Sequence, residues 1–159
     1  SGSLGHGLGF GAGVAKAYKQ SNFKKKVIVF MGDAETTAGS VWEAANFASY
    51  HNLNNLIAYV DFNKIGATEW IRKFVDTKTI INKWVSFGWY VLEIKNGNSI
   101  SDLIDAQKIA LKSKKPTLIL CNTTKGKGSK ITENDPIWHT KNVDVTNYHK
   151  VKEDVENGI

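Results

Sequence analysis

The sequence has little cysteine and lacks a long apolar run. Its only cysteine, Cys121, lies in an apolar segment, so a disulfide framework is excluded and we expect a buried, unreactive thiol. No segment approaches the roughly 18 consecutive apolar residues that a membrane-spanning helix needs. We therefore predict that the protein does not associate with membranes. A single cysteine without a disulfide is typical of cytosolic proteins, so we also predict a cytoplasmic location.

The sequence also lacks internal repeats, a linker-like segment, the His/Cys spacing of a metal cluster and the Ser/His/Asp set of a hydrolase. Its 42% hydrophobic and 23% charged residues are ordinary for a globular protein. We therefore predict a single domain over residues 1–159. Because the chain begins at Ser1, without Met and inside a glycine-rich segment, we also expect a fragment or subunit that lacks upstream residues.

Positive charge prevails, with a net charge of +6, which raises the question of nucleic-acid binding. Two lysine-rich segments, residues 24–26 and 112–115, each lie in a turn before a predicted strand. Lysine in such places solvates a loop or caps the preceding helix. We therefore expect these lysines to lie on a solvated surface, and we predict no nucleic-acid partner. The alternative is that their charge attracts anionic small molecules to a binding site.

Apolar segments typical of strands alternate with segments typical of helices along the chain. The predicted strands are residues 27–31, 56–60, 89–94 and 117–121. The predicted helices are the second half of residues 2–20 and residues 40–50, 79–87, 100–112 and 147–156. Ser40 has Glu43 three residues later, as in a capping box. Strict alternation predicts an α/β fold with a doubly wound, mainly parallel sheet and helices on both faces.

Polar side chains follow the first two predicted strands. Asp33 comes just after the first strand, and Asn63 just after the second. Since the carboxyl ends of neighbouring parallel strands meet at one edge of a sheet, we expect both side chains there. Carboxylate and amide oxygens suit Mg²⁺ or Ca²⁺, and a backbone carbonyl at Lys64 or Ile65 could complete the set. The alternative is that Asp33 merely caps a turn or helix.

Backbone groups beside Asp33 suggest a phosphate partner for that cation. Gly32 and Ala34 would bring backbone N–H groups close to phosphate oxygens, with a helix N-terminus behind them. In the loop after the last strand, His139 would hydrogen-bond a phosphate or act on a substrate hydroxyl, unless it is a plain surface histidine. Residues 7–12 match a permissive dinucleotide pattern, but no strand precedes them, so tight helix packing explains these glycines better.

Four segments together resemble the thiamine diphosphate motif of transketolases, namely residues 32–35, 40–45, 54–58 and 61–63. Residues 2–7 resemble the glycine-rich segment that precedes this motif in the family, and the similarity extends through residues 79–91, 122–128 and 138–139. The chain most resembles the N-terminal half of a split transketolase, in which the diphosphate-binding and pyrimidine domains are separate polypeptides. The resemblance implies a thiamine diphosphate-binding fold.

The resemblance also implies a cofactor and its ligands. Asp33, Asn63 and the carbonyl of Ile65 match residues that bind Mg²⁺ or Ca²⁺, which bridges the diphosphate. Further positions that match the family's cofactor site are Gly2, Leu4, Ala34 and His139, the last being a histidine near both cofactor and sugar substrate, which makes it the candidate catalytic residue.

The implied activity, in carbohydrate metabolism, is transfer of a two-carbon ketol unit from a ketose, as its phosphate, to an aldose. The implied partner is a C-terminal transketolase-like subunit that carries the pyrimidine domain, with the whole forming a homodimer of heterodimers. The glutamate that activates the aminopyrimidine belongs to that other domain. We therefore expect this chain to be inactive alone.

Three positions depart from the family pattern. Ala34 replaces a glycine, Ala38 replaces a glutamate at the subunit interface, and His6 replaces a glutamine. These departures leave two alternatives, a different thiamine diphosphate-dependent synthase of the same superfamily and a non-catalytic assembly partner. The intact pair Asp33 and Asn63 argues against a decayed site.

Overall fold

The structure is a computed structural model and describes residues 2–67, 69–73 and 76–158. The two ends of the predicted domain, Ser1 and Ile159, lie outside the described residues. Four strands form one sheet: β1 (Val27–Gly32), β2 (Leu56–Asp61), β3 (Tyr90–Ile94) and β4 (Thr117–Cys121). The strand order is β1-β2-β4-β3, and all neighbouring pairs are parallel. The predicted parallel sheet is therefore confirmed.

Among the described residues, five α-helices precede, connect or follow these strands: α1 (Gly7–Gln20), α2 (Gly39–Tyr50), α3 (Ile80–Ser86), α4 (Ile100–Lys112) and α5 (Tyr148–Glu156). Short 3₁₀ segments occur at Ala34–Thr37, Ile71–Lys73, Thr77–Thr79 and Pro136–His139. α3 ends as expected, because Gly88 has a φ of +85° and adopts the left-handed conformation of a C-terminal cap. No helix within the described residues is long and apolar enough to cross a membrane.

Helices cover both faces of the sheet, as predicted. The larger core lies under α1, α2 and α3, where Leu8, Ala45 and Trp84 pack against the inward residues of the strands. The smaller core lies under α4, which contacts the sheet through Ala106 and Ala110. The central strands β2 and β4 are buried on both faces, which is typical of parallel sheets, whereas the edge strands β1 and β3 are partly exposed.

One glycine of α1 is required for its packing against the sheet. A side chain at Gly11 would collide with Val29 of β1, so this glycine lets the helix lie directly on the sheet. Gly9 and Gly13, by contrast, face open space. Tight packing therefore explains Gly11 but not every glycine in the segment.

Candidate metal and cofactor site

The carboxyl ends of β1 and β2 meet at one edge of the sheet. Gly32 is in register with Asp61, and the N–H of Asp33 continues the ladder by donating to the carbonyl of Asp61 at 3.2 Å. Because a sheet brings residues of equal register side by side, the polar residues that follow the two strands are neighbours. The predicted convergence of the two strand ends is observed.

Asp33 joins these two strand ends through its side chain, which is only 1% exposed. One carboxylate oxygen, Oδ1, accepts the N–H of Ala34 at 2.7 Å. The other, Oδ2, accepts the N–H of Lys64 at 2.5 Å, across to the loop after β2. Lys64 has a φ of +68°, a conformation that costs a residue with a Cβ about 1–2 kcal/mol. The contact with Asp33 helps to hold it.

Asn63 is held by hydrogen bonds at both ends of its amide group. Its Oδ1 accepts the N–H of Ile65 at 2.9 Å, and its Nδ2 donates to Oδ2 of Asp61 at 3.0 Å. The amide oxygen and the amide nitrogen therefore have fixed and opposite directions. We call Asp33, Asp61, Asn63 and Ile65 the strand-tip cluster.

Within the described residues, no hydrogen-bond donor contacts the carbonyl of Ile65. Ile65 is buried and forms an isolated antiparallel bridge with Trp70, and the hydrogen bonds of this bridge are made by their neighbours. In such a pair the N–H and C=O of the central residue point away from the partner. Because the N–H of Ile65 reaches the amide oxygen of Asn63, the carbonyl of Ile65 faces the side where that oxygen lies.

The strand-tip cluster contains two aspartates that take part in no ion pair among the described residues. The pKa of Asp33 rises from 3.8 to about 6, chiefly because the side chain is buried, with the nearby Asp61 carboxylate adding to the rise and the N–H groups of Lys64 and Ala34 opposing it. Among the described residues no ion pair neutralises Asp33. Because the pKa is raised in spite of the N–H groups of Ala34 and Lys64, these donors offset only part of the cost of burying the carboxylate, and a bound cation would offset more of it.

The donor set suits a hard divalent cation. No group of three or more His, Cys, Asp or Glu side chains that could hold a metal occurs in the described part of the chain. A site here therefore has to combine the Asp33 carboxylate with the Asn63 amide oxygen and the Ile65 carbonyl. Mg²⁺ accepts few protein ligands of this kind and shares the rest of its coordination with phosphates and water. The residues present fit such an ion.

The glycine-rich start of the chain lies beside the end of β1. Glu35 accepts the N–H of Gly5 through Oε1 at 2.9 Å and that of Gly32 through Oε2 at 3.3 Å, which ties the two segments together. Gly2 and Leu4, predicted cofactor contacts, are exposed near this link. A side chain at Gly32 would meet no atom within 4 Å, so open space adjoins the strand end.

Two backbone groups expected to meet a phosphate already have partners here. The N–H of Gly32 donates to Glu35, and the N–H of Ala34 donates to Asp33. Ala34 lies in the 3₁₀ segment and is not among the residues with positive φ. Its Cβ therefore adds no backbone strain where the resembled family has glycine.

The helix predicted behind Asp33 begins within one residue of its expected start at Ser40. A 3₁₀ turn intervenes, and α2 begins at Gly39 after Ala38. The predicted capping box of Ser40 and Glu43 is wrong, since the hydroxyl of Ser40 donates to the carbonyl of Gly5 at 2.9 Å. Ser40 thus fastens the glycine-rich start instead of capping its own helix.

The loop after β4 leaves the same sheet edge and carries His139. The hydroxyl of Thr123 donates to Oδ1 of Asp61, which joins this loop to the strand-tip cluster. His139 itself is exposed, and its Nδ1 lies 3.2 Å from Nζ of Lys125. Because an ammonium group only donates, Nδ1 is the acceptor and the proton of a neutral ring is on Nε2. The structure does not bring His139 into contact with Asp33.

Hydrogen bonds and a tight turn give the loop after β4 a defined structure. Buried Ser129 donates to Oδ2 of Asp154 at 2.8 Å, which anchors the loop to α5. Gly126 has a φ of +69°, and a side chain there would collide with the backbone of Thr132. The loop therefore has a defined shape, and glycine is required at this turn.

Sequence reasoning missed three contributors to this edge, Asp61, Glu35 and Lys125. Each acts through a contact between residues distant in sequence, and Asp61 and Glu35 each receive donors from two segments. The one signal available was position, because Asp61 and Glu35 flank the predicted ligands. Cys121 is the buried thiol expected, with a pKa raised to about 11 by burial and then by Asp61.

The chain is similar to known proteins over most of its length. Residues 1–155 match the family described as the transketolase, thiamine diphosphate binding domain. The chain is 38% identical over 140 residues to an apulose-4-phosphate transketolase subunit of Phocaeicola vulgatus, covering 87% of this chain and 50% of that protein. It is 34% identical over 134 residues to the 6-deoxy-6-sulfo-D-fructose transketolase subunit SqwG of a Clostridium species, covering 84% and 48%.

A solved structure has the same fold. The crystal structure of transketolase from Campylobacter jejuni aligns with a TM-score of 0.83 at 27% identity, covering 96% of this chain and 24% of that one. The predicted α/β fold is thus confirmed independently of the strand pattern. The chain spans about half the length of the curated relatives described above.

Proposed function

Because this chain belongs to the transketolase thiamine diphosphate binding domain family, we propose that it is the diphosphate-binding subunit of a transketolase-like enzyme divided between two polypeptides. The observation that carries the proposal is the buried carboxylate of Asp33, which spans two strand ends and has no neutralising partner among the described residues. A divalent cation bound to a diphosphate would neutralise the Asp33 carboxylate.

The cation would be held by three oxygens of the strand-tip cluster. These are a carboxylate oxygen of Asp33, Oδ1 of Asn63 and the carbonyl of Ile65, with Mg²⁺ as the natural ion and Ca²⁺ as a substitute. The diphosphate would complete the coordination. The cofactor would lie along the neighbouring positions, namely Gly2, Leu4, Gly32, Ala34 and His139.

When bound, thiamine diphosphate supplies the electron sink for transfer of a two-carbon ketol unit. This chain supplies placement and charge. Asp33 and Asn63 would hold the cation and, through it, the diphosphate, and would thereby orient the rest of the cofactor. His139, the proposed catalytic residue, can donate a hydrogen bond from Nε2 to a substrate or phosphate oxygen while Lys125 holds its Nδ1.

The proposed partner is a C-terminal transketolase-like subunit with the pyrimidine domain. Three relatives of this chain are themselves named as transketolase subunits, which supports an assembly of more than one kind of chain. We propose a homodimer of heterodimers in which turnover requires both polypeptides. A cytosolic location stays a prediction from composition.

The proposed substrates are sugars that carry an anionic group. Two relatives are named for apulose 4-phosphate and 6-deoxy-6-sulfo-D-fructose, which bear a phosphate and a sulfonate. A ketose phosphate donor and an aldose acceptor are the corresponding pair for this chain. A different thiamine diphosphate-dependent synthase is the second candidate, because Ala38 packs beside Gly5 and cannot supply the carboxylate expected there from the family resemblance.

Ketol transfer by the protein purified with its co-purifying subunit tests the proposal. Fructose 6-phosphate or xylulose 5-phosphate is supplied with a panel of aldoses, thiamine diphosphate and Mg²⁺, and products are identified by mass spectrometry. We expect a ketose two carbons longer than the acceptor, lost in Asp33→Ala and retained in Asp105→Ala, which removes an exposed aspartate of α4.

Other outcomes separate the alternatives. Metal-dependent cofactor binding with transfer only to non-aldose acceptors would identify the synthase. Absence of any metal-dependent cofactor binding by the complete complex would contradict an enzymatic role and leave a non-catalytic assembly partner.

A further inference from the structure

Asp61 occupies the centre of the strand-tip cluster. As the last residue of β2, it accepts the N–H of Asp33 with its backbone carbonyl at 3.2 Å. Its side chain accepts Nδ2 of Asn63 through Oδ2 at 3.0 Å and the hydroxyl of Thr123 through Oδ1. One residue therefore contacts the segments that follow β1, β2 and β4.

The contact with Asn63 determines which end of an amide faces the cation. A carboxylate only accepts hydrogen bonds, so Asp61 can pair with the NH₂ group of Asn63 and not with its oxygen. On the other side the N–H of Ile65 requires the oxygen. These two partners select the same orientation, and a reversed amide would present hydrogen atoms to the cation instead of a lone pair.

We propose that Asp61 is a positioning residue of the metal site, which keeps Oδ1 of Asn63 directed at the divalent cation by accepting the amide nitrogen. This inference rests on the proposed function and assigns a role to a residue outside the ligand set. Outer partners of this kind commonly contribute about 10–100-fold to metal affinity, because they fix the orientation of the ligand before the metal binds.

Asp61 acts through Asn63 and not as a ligand of its own. Its Oδ2 accepts the amide nitrogen of Asn63 and its Oδ1 accepts the hydroxyl of Thr123, so it contacts Asn63 at the end opposite to the proposed ligand atom Oδ1. If it acted as a ligand or as a long-range charge, its removal would weaken metal binding whether or not Asn63 were present. If it acts by positioning, its removal should matter only while Asn63 is there to be positioned. A double-mutant cycle separates these cases.

The test uses the full-length protein together with its co-purifying subunit. Mn²⁺ is titrated with and without thiamine diphosphate, and free Mn²⁺ is followed by electron paramagnetic resonance. The variants are Asp61→Asn, Asn63→Ala, the double variant, and Thr123→Val as the matched control that removes the other hydrogen bond to Asp61. Melting in EDTA establishes that each variant is folded.

We expect Asp61→Asn to weaken Mn²⁺ binding about 10–100-fold, since an asparagine side chain can pair with the wrong end of Asn63. In the Asn63→Ala background the same change should have less than about a threefold effect, and Thr123→Val should remain within about threefold of the original. Should Asp61→Asn not fold, Asp61→Glu replaces it, because it retains the charge but displaces the acceptor, and the same loss is expected.

An affinity for Mn²⁺ unchanged by Asp61→Asn, or an equal loss with and without Asn63, would overturn the positioning role. Failure of the proposed function gives a different result. In that case the original protein itself would show no Mn²⁺ binding that depends on thiamine diphosphate and that Asp33→Ala removes.

Discussion

The strand-tip cluster and the loop that carries His139 belong to the same sheet edge but differ in how they are held. Asp33 is buried and fixed by two backbone N–H groups from different segments. His139 is exposed, and the described contact of its ring is with the end of a long lysine side chain. The fold therefore holds the proposed metal ligands in position before a metal binds, whereas His139 is accessible to solvent.

This difference implies separate contributions to binding and turnover. Groups fixed by the backbone can hold a cation without reorganisation, so they should determine cofactor affinity. An exposed imidazole contributes little to that affinity and should matter once a substrate is present. The predictions below test this division, beginning with the largest expected effect.

Asp33→Ala should remove the metal-dependent part of thiamine diphosphate binding. We expect a loss of more than about 100-fold, since even outer partners of metal ligands contribute about 10–100-fold. Calorimetric titration of the cofactor in Mg²⁺ and in EDTA measures the effect, with Asp105→Ala as the control. Retained Mg²⁺ dependence in Asp33→Ala would show that the cation binds elsewhere.

The pH dependence of stability should reveal the buried carboxylate in the metal-free protein. The pKa of Asp33 is raised from 3.8 to about 6 in the folded state, so between these values the folded chain binds more protons than the unfolded chain. Ionisation of Asp33 therefore costs up to about 3 kcal/mol. This cost is full above pH 6, and it disappears as the pH falls through about 6 towards 3.8.

Urea unfolding in EDTA at several pH values measures this effect. The free energy of unfolding of the original protein should fall relative to that of Asp33→Asn as the pH rises from about 4 to 7. Parallel curves for the two proteins would contradict the raised pKa. Saturating Mg²⁺ with thiamine diphosphate should reverse the difference, because ionised Asp33 then has a partner.

His139→Asn should lower turnover about 100-fold, as expected for loss of a group that handles a proton. It should leave Mg²⁺ and cofactor affinity within about twofold, because no described hydrogen bond joins the ring to the strand-tip cluster. Steady-state kinetics and cofactor titration on the same preparation measure both quantities. Equal losses of affinity and turnover would show that His139 acts through cofactor binding alone.

Lys64→Gly should stabilise the chain relative to Lys64→Ala by about 1 kcal/mol. Lys64 has a φ of +68°, which glycine adopts without cost and alanine does not. Both changes remove the lysine side chain, so the pair isolates the backbone effect. Urea unfolding measures it, and an alanine variant as stable as the glycine variant would show that the loop relaxes without strain.

The sequence predicted the sheet edge better than its details. Strict alternation located every strand to within a residue, because continuous apolar segments between turns have few other structures available. α4 was predicted with its observed bounds, Ile100–Lys112. The pattern of large apolar residues did not identify the face of α4 that packs on the sheet. Ile104 and Ile109 are about half exposed, and the helix packs through Ala106 and Ala110 instead.

The hydrogen-bond partners within the site could not be predicted from the sequence. Glu35 and Ser40 pair with Gly5, which lies 30 and 35 positions away, and Asp61 pairs with Thr123, 62 positions away. No sequence periodicity encodes such pairings. Local rules even pointed the wrong way for Ser40, which satisfies a helix-capping pattern but donates to Gly5. Chain order identified the proposed ligands, and only the packed structure identified what holds them.

The most direct measurement is the position of a cation. Crystals of the complete complex grown with thiamine diphosphate and Mn²⁺ should show one anomalous peak about 2.0–2.6 Å from the oxygens of Asp33, Asn63 and the Ile65 carbonyl, the range for hard cations. A cofactor bound with its cation elsewhere, or with no cation at these strand ends, would contradict the account.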